Sequence, residues 1–85
     1  MYKVEIHKEA LKFLNSLPEE LYLQAVKRLG DLGSNPYPFG AIKVKGYQGN
    51  IFRIRVGKYR ALYFVSSSEL TVYVIKIDKR GVAYD

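Results

Sequence analysis

The stretch "NIFRIRVGKYRALYFV", residues 50–65, constrains this chain more than any other. Side chains alternate faces along a strand with a period of two. Phe52, Ile54 and Val56 therefore share one face, and Arg53 and Arg55 share the other. Gly57-Lys58 then reads as a two-residue turn, with the glycine supplying the positive φ of a type II′ turn. That turn pairs Val56 with Tyr59, Arg55 with Arg60 and Arg53 with Leu62. All three arginines fall on one face. The other face carries Phe52, Ile54, Val56, Tyr59, Ala61 and Tyr63, and runs on into Val72 and Val74 if residues 66–69 form a four-residue loop. A bulge or a longer turn would move Arg60 to the other face.

An apolar sheet face has to be covered, and the upstream sequence supplies the cover. "YKVEI" (residues 2–6) alternates apolar and charged, which predicts a first strand. "KEALKFLNSL" places Ala10, Phe13, Leu14 and Leu17 at helical spacing. Pro18 ends that helix and can open a second, whose first turn holds Glu19 and Glu20. Leu21, Ala25, Leu29 and Leu32 line one side of the second helix, and Gly33 and Asn35-Pro36 end it. "NPYPFG" reads as a loop, "AIKVKG" as a short extended segment and "LTVYVIKI" as a last strand. The expected architecture is α+β over a single domain, residues 1–85. It has an N-terminal strand, an αα-hairpin, and an antiparallel sheet of three to four strands. The helices pack on one face and the arginine face is left open.

The charge is as localised as the pattern. The formal net charge is +6. Residues 1–31 and 69–85 each balance acids against bases. Residues 32–68 contain Lys43, Lys45, Arg53, Arg55, Lys58 and Arg60, and no acid. A patch of this kind suits phosphate or an acidic partner; a solvated strand face kept basic for solubility has the same composition. Arg55 opposite Arg60 costs a sheet a few tenths of a kcal/mol or more. A polyanion bound there would account for that cost.

The residue types limit the chemistry. There is no cysteine, so no disulfide, thiolate ligand or thiol nucleophile. The lone His7 cannot build a metal cluster. No glycine-rich phosphate loop is present, and no carboxylate is expected near the patch. No apolar run is long enough for a membrane span and none has the flanks of an export signal, so a cytoplasmic protein is expected. What remains is a set of permanent cations with a few tyrosines. Such a set can bind phosphate and stabilise extra negative charge on a phosphorane. RNA carries its own nucleophile, the 2′-OH, so alignment and charge stabilisation could suffice to cleave it, with no cofactor.

Over nearly its whole length the sequence resembles the RelE/ParE toxin superfamily, and within it the RelE-type mRNA interferases. The resemblance rests on "KEALKFLNSLP", "NPYPFGAIKVKG", "IFRIRVGKYRALYFV" and "VYVIKIDKRGVAY" in that order. It implies a ribosome-dependent endoribonuclease that cuts mRNA in the ribosomal A site and is neutralised by a RelB-like antitoxin. The implied catalytic residues are Arg53, Arg55 and Arg60 on the hairpin, Arg80 after the last strand, and Tyr84 in the tail. In that scheme the arginines hold the scissile phosphate, Tyr84 helps to activate the 2′-OH and Arg80 assists the leaving oxygen. Lys43, Lys45 and Lys58 are expected to touch RNA backbone. Some relatives carry lysines where this chain has Arg53 and Arg55. Arginine is always charged, so it clamps phosphate but does not exchange protons. Tyr84 could instead pack its ring on the sheet edge. The same fold also hosts ParE-type inhibitors of DNA gyrase and could host a non-toxic antitoxin-binding relative.

Overall fold

The computed structural model describes residues 1–46 and 50–79. Its centre is one five-stranded sheet in the order β1-β5-β4-β3-β2. The strands are β1 (Lys3–Ile6), β2 (Ile42–Lys43), β3 (Ile51–Val56), β4 (Tyr59–Ser66) and β5 (Thr71–Lys79). The α+β class, the αα-hairpin and the helices on one sheet face are as the sequence predicts. The sheet itself is larger than expected and mixed. The first strand joins it, running parallel to β5 with Val4 beside Val72 and Ile6 beside Val74.

The β3–β4 hairpin has the register read from its turn. Val56 pairs with Tyr59, Arg55 with Arg60 and Arg53 with Leu62. Gly57 has φ +63°, which an L side chain adopts only with strain, and Lys58 does not share it. That is the pattern of a type II′ turn. Gly57→Ala is therefore expected to cost about 1–2 kcal/mol of stability in urea unfolding.

The next connection differs from expectation by one residue. β4 runs through Ser66 and β5 begins at Thr71, so the loop is residues 67–70. Both ends shift together, so Val65, Val72 and Val74 still share the helix face. A β-bulge follows. Leu62 pairs with Lys76 and Tyr63 with Val74, which leaves Ile75 as the extra residue. An extra residue switches the faces of everything beyond it. Ile77 consequently enters the core, 5% exposed, opposite Ala61. Lys76 and Asp78 turn to the arginine face.

The helices α1 (Lys8–Asn15) and α2 (Glu19–Gly30) cover the other face. Ala10 and Leu14 of α1 and Ala25 and Leu29 of α2 are buried against Ile54, Val56, Tyr63, Val72 and Val74. Pro18 stands immediately before α2 with an extended ψ of 151°, ending one helix and opening the next. Leu32 is fully buried, but in a 3-10 turn, Asp31–Gly33, and not in α2. Gly33 lies against β1. Its carbonyl accepts the Tyr2 N–H at 2.8 Å, and a Cβ there would stand 2.8 Å from the Tyr2 carbonyl oxygen. Only glycine permits that approach.

The loop after the helices is tied to the sheet by Tyr63. Its ring is fully buried and stacks with Phe52, centroids 5.9 Å apart. Its hydroxyl donates to the Pro36 carbonyl oxygen at 2.7 Å. Burial pushes the Tyr63 phenol up to about 12 from its usual 10.0. A phenol that ionises later in the folded state contributes stability that is full below pH 10 and is lost as the pH rises towards 12. Stability should fall by roughly 1 kcal/mol per pH unit in that window. Tyr63→Phe should flatten this alkaline slope in denaturation curves recorded at pH 9 to 12.

Candidate functional site

Two rows of side chains cross the arginine face. The first is Arg55, Arg60 and Asp78, contributed by β3, β4 and β5. The second is Ile42, Arg53, Leu62 and Lys76, from β2 to β5. Arg53, Arg55 and Arg60 line one cavity of about 230 Å³ together with Gly40, Ile42 and Ile54. The three hairpin arginines thus converge on one space, built on a ladder that fixes their spacing.

Their burial differs, which assigns them different parts. Arg55 is exposed and Arg53 half-buried. Arg60 is only 7% exposed, with Nη1 shut off from solvent. The face is therefore less open than the sequence suggests. Leu62 is 4% exposed and Ile51 8%. Leu62 lies between Arg53 and Lys76 across the sheet, where their aliphatic stems can shield it. Beyond it, Phe64 and Tyr73 stack with centroids 5.0 Å apart. Tyr73 packs on Phe64, and its hydroxyl donates to Glu69. That bond to the carboxylate pushes the Tyr73 phenol up.

A carboxylate does stand beside the patch. Asp78 is directly across from Arg60 and lies 3.5 Å from Lys76 Nζ. The bulge at Ile75 is the cause, since an unbroken strand would have sent Asp78 to the helix side. Its negative charge offsets part of the repulsion between Arg55 and Arg60. A second residue also escaped the sequence reading. Arg28 of α2 has its Nε donating to the Arg55 carbonyl oxygen at 3.3 Å. It ties the end of α2 to the strand that carries the arginines. No spacing in the sequence signals that contact.

The lysines are placed apart from the cavity. Lys43 pairs with Phe52 and so lies on the opposite face from Arg53. Lys45 and Lys58 are exposed in turns, Lys58 at the hairpin tip. None of the three lines the cavity. Arg80 and Tyr84 lie outside the described residues. Among the described residues no cluster of three His, Cys, Asp or Glu could hold a metal ion, and no helix is long and apolar enough to cross a membrane.

Comparison with known proteins places this geometry. The family model for the ParE toxin of the type II toxin–antitoxin system, parDE, matches residues 4–84. The chain belongs to the RelE/ParE toxin superfamily. RelE1 of Methanocaldococcus jannaschii is 33% identical over an alignment that covers 98% of this chain and 94% of the relative. The RelE–RelB complex of Pyrococcus horikoshii OT3 contains a chain that superposes with a TM-score of 0.83 at 34% identity, covering 96% of this chain and 98% of that one. The toxin–antitoxin complex RelBE2 of Mycobacterium tuberculosis gives a TM-score of 0.79 at 28% identity over 93% and 98% of the two chains. This RelE/ParE protein is thus a toxin of the type II toxin–antitoxin class. Its whole described fold, not only its hairpin, is shared with those relatives.

Proposed function

We propose that this toxin is a ribosome-dependent endoribonuclease that cuts mRNA in the ribosomal A site and so blocks translation. The observation that carries this reading is the convergence of Arg53, Arg55 and Arg60 on one cavity. Guanidinium groups bind phosphate oxygens in pairs and keep their charge throughout the reaction. The 2′-OH attacks the adjacent phosphorus, the three arginines stabilise the charge that builds on the phosphorane oxygens, and the 5′ oxygen leaves. The bonds balance without water: a 2′,3′-cyclic phosphate and a 5′-OH result. Family resemblance assigns Tyr84 to the proton of the 2′-OH and Arg80 to the leaving oxygen. The scheme calls for no metal or cofactor. Lys43, Lys45 and Lys58 would act through long-range attraction to RNA.

The hairpin arginines supply charge but not proton transfer. Positioning must therefore come from the ribosome, and free RNA should be cut very slowly. The partner that restrains the toxin is a RelB-like antitoxin, as in the complexes of the structural neighbours. The match to the ParE toxin model favours a second reading, inhibition of DNA gyrase by the same fold. Controlled expression separates the two. The interferase reading expects growth arrest with new mRNA 5′ ends in A-site codons. Arrest with poisoned gyrase and intact mRNA would overturn it.

A further inference from the structure

The arginine cavity has an apolar lip that phosphate binding does not use. Gly40 and Ile42 form its wall on the β2 side, and Ile42 is half exposed on the same face as Arg53. Immediately before Gly40 stands Phe39, whose side chain is fully exposed. Phe39 and Gly40 are the central residues of a tight turn closed by the Ala41 N–H donating to the Pro38 carbonyl at 3.0 Å. Gly40 has φ +95°, as the third residue of a type II turn requires. The turn therefore holds Phe39 in solvent, one residue from Gly40 in the cavity wall.

Nothing among the described residues accounts for this placement. Two other aromatics of the region are engaged, Tyr37 against Phe52 and Phe52 against Tyr63. Leaving a phenylalanine in water forgoes the roughly 2–3 kcal/mol that burying it would contribute. Ile42 on the cavity wall, with the exposed Phe39 one residue from Gly40, puts apolar surface close to an anion site. The ligand with that combination of features is a nucleotide: a phosphate for the arginines and a flat base for the ring. A cavity of about 230 Å³ is ample for one phosphate.

We infer that Phe39, with Ile42 beside it, is a base-stacking subsite for the nucleotide that flanks the clamped phosphate. This inference rests on the RNA-cleaving reading of the arginine site. Stacking on an aromatic ring is indifferent to base identity, because every base has a π-face. The subsite would hold the chain in register and would not choose a codon.

The sequence contains no tryptophan, so Phe39→Trp makes a single fluorescent reporter at the lip. The full-length variant is titrated with a short RNA carrying 2′-deoxy sugars, which binds without being cut, and with inorganic polyphosphate. RNA is expected to quench the tryptophan saturably. Polyphosphate is expected to compete with RNA without quenching. In anisotropy titrations Phe39→Ala should weaken RNA binding about tenfold and leave polyphosphate binding unchanged. Because Phe39 is fully exposed, neither substitution threatens the fold. RNA that binds without quenching, and equally well to Phe39→Ala, overturns the subsite and leaves the arginine site standing. Quenching by the cognate antitoxin but not by RNA makes the ring a protein contact and likewise overturns it. Failure of the wild-type chain to bind either RNA or polyphosphate removes the underlying reading as well.

Discussion

Arg60→Ala is expected to lower the rate of ribosome-dependent mRNA cleavage by on the order of 100-fold. Arg60 is the buried member of the three arginines that line the cavity, and its neighbours fix its position. Arg55 is directly across on one side and Asp78 on the other. A guanidinium held in this way needs no reorganisation when charge develops on phosphate, which is where preorganised electrostatics has its largest effect. Alanine would also leave Asp78 without the cation it faces, so unfolding must be measured alongside cleavage. Arg60→Lys separates the two effects. It keeps the charge and much of the stem, and so most of the stability, but loses the planar fork that grips two phosphate oxygens. It should lose at least tenfold in rate while unfolding near wild type. Lys58→Ala, at the exposed hairpin tip, should change the rate less than severalfold. A wild-type rate in both Arg60 variants would remove the arginine from the mechanism.

Ile77→Asp is expected to have the largest effect on stability. The bulge places Ile77 in the core and sends Lys76 and Asp78 to the arginine face. An aspartate at this position would be buried on the helix side of the sheet, among apolar side chains. The loss of Ile77 burial alone amounts to about 2–3 kcal/mol, and an unpaired buried charge adds more. The substitution should therefore destabilise the protein by at least about 3 kcal/mol in urea unfolding. Ile75→Asp, at the half-buried extra residue, should cost far less. Deleting Ile75 should also cost less, because the pairs Tyr63–Val74 and Leu62–Lys76 then become neighbours in an unbroken ladder and every later residue keeps its face. Equal stability of Ile77→Asp and the wild type would show that the bulge does not bring Ile77 into the core.

This contrast between the hairpin and β5 explains what the sequence could reveal. The β3–β4 register was legible because a two-residue turn at Gly57-Lys58 fixes pairing locally, and alternation does the rest. The helices were legible from Ala10, Leu14, Ala25 and Leu29, whose spacing marks one buried side. The bulge was not. "VYVIKID" alternates poorly, and a bulge shows only when a second strand exists to count against. Asp78 therefore looked remote from the arginines although it stands opposite Arg60. Arg28 was missed for another reason. Its partner is a backbone carbonyl 27 positions away, and backbone groups leave no mark in a sequence. The face on which Lys43 lies is set by a two-residue edge strand, too short for alternation to define. The parallel pairing of β1 with β5 is a contact between the two ends of the fold and carries no local signal.

The central claim is that the toxin cuts RNA by using the 2′-OH of the substrate, held on an arginine-lined site. The most direct measurement uses purified toxin and ribosomes stalled with an empty A site on a defined mRNA, with the cut ends identified chemically. The predicted result is a single cut in the A-site codon that leaves a 2′,3′-cyclic phosphate and a 5′-OH. The cut should disappear when the nucleotide 5′ of it carries a 2′-deoxy sugar. Continued cutting of the deoxy-substituted mRNA, or no cut with the ribosome present, would contradict the account.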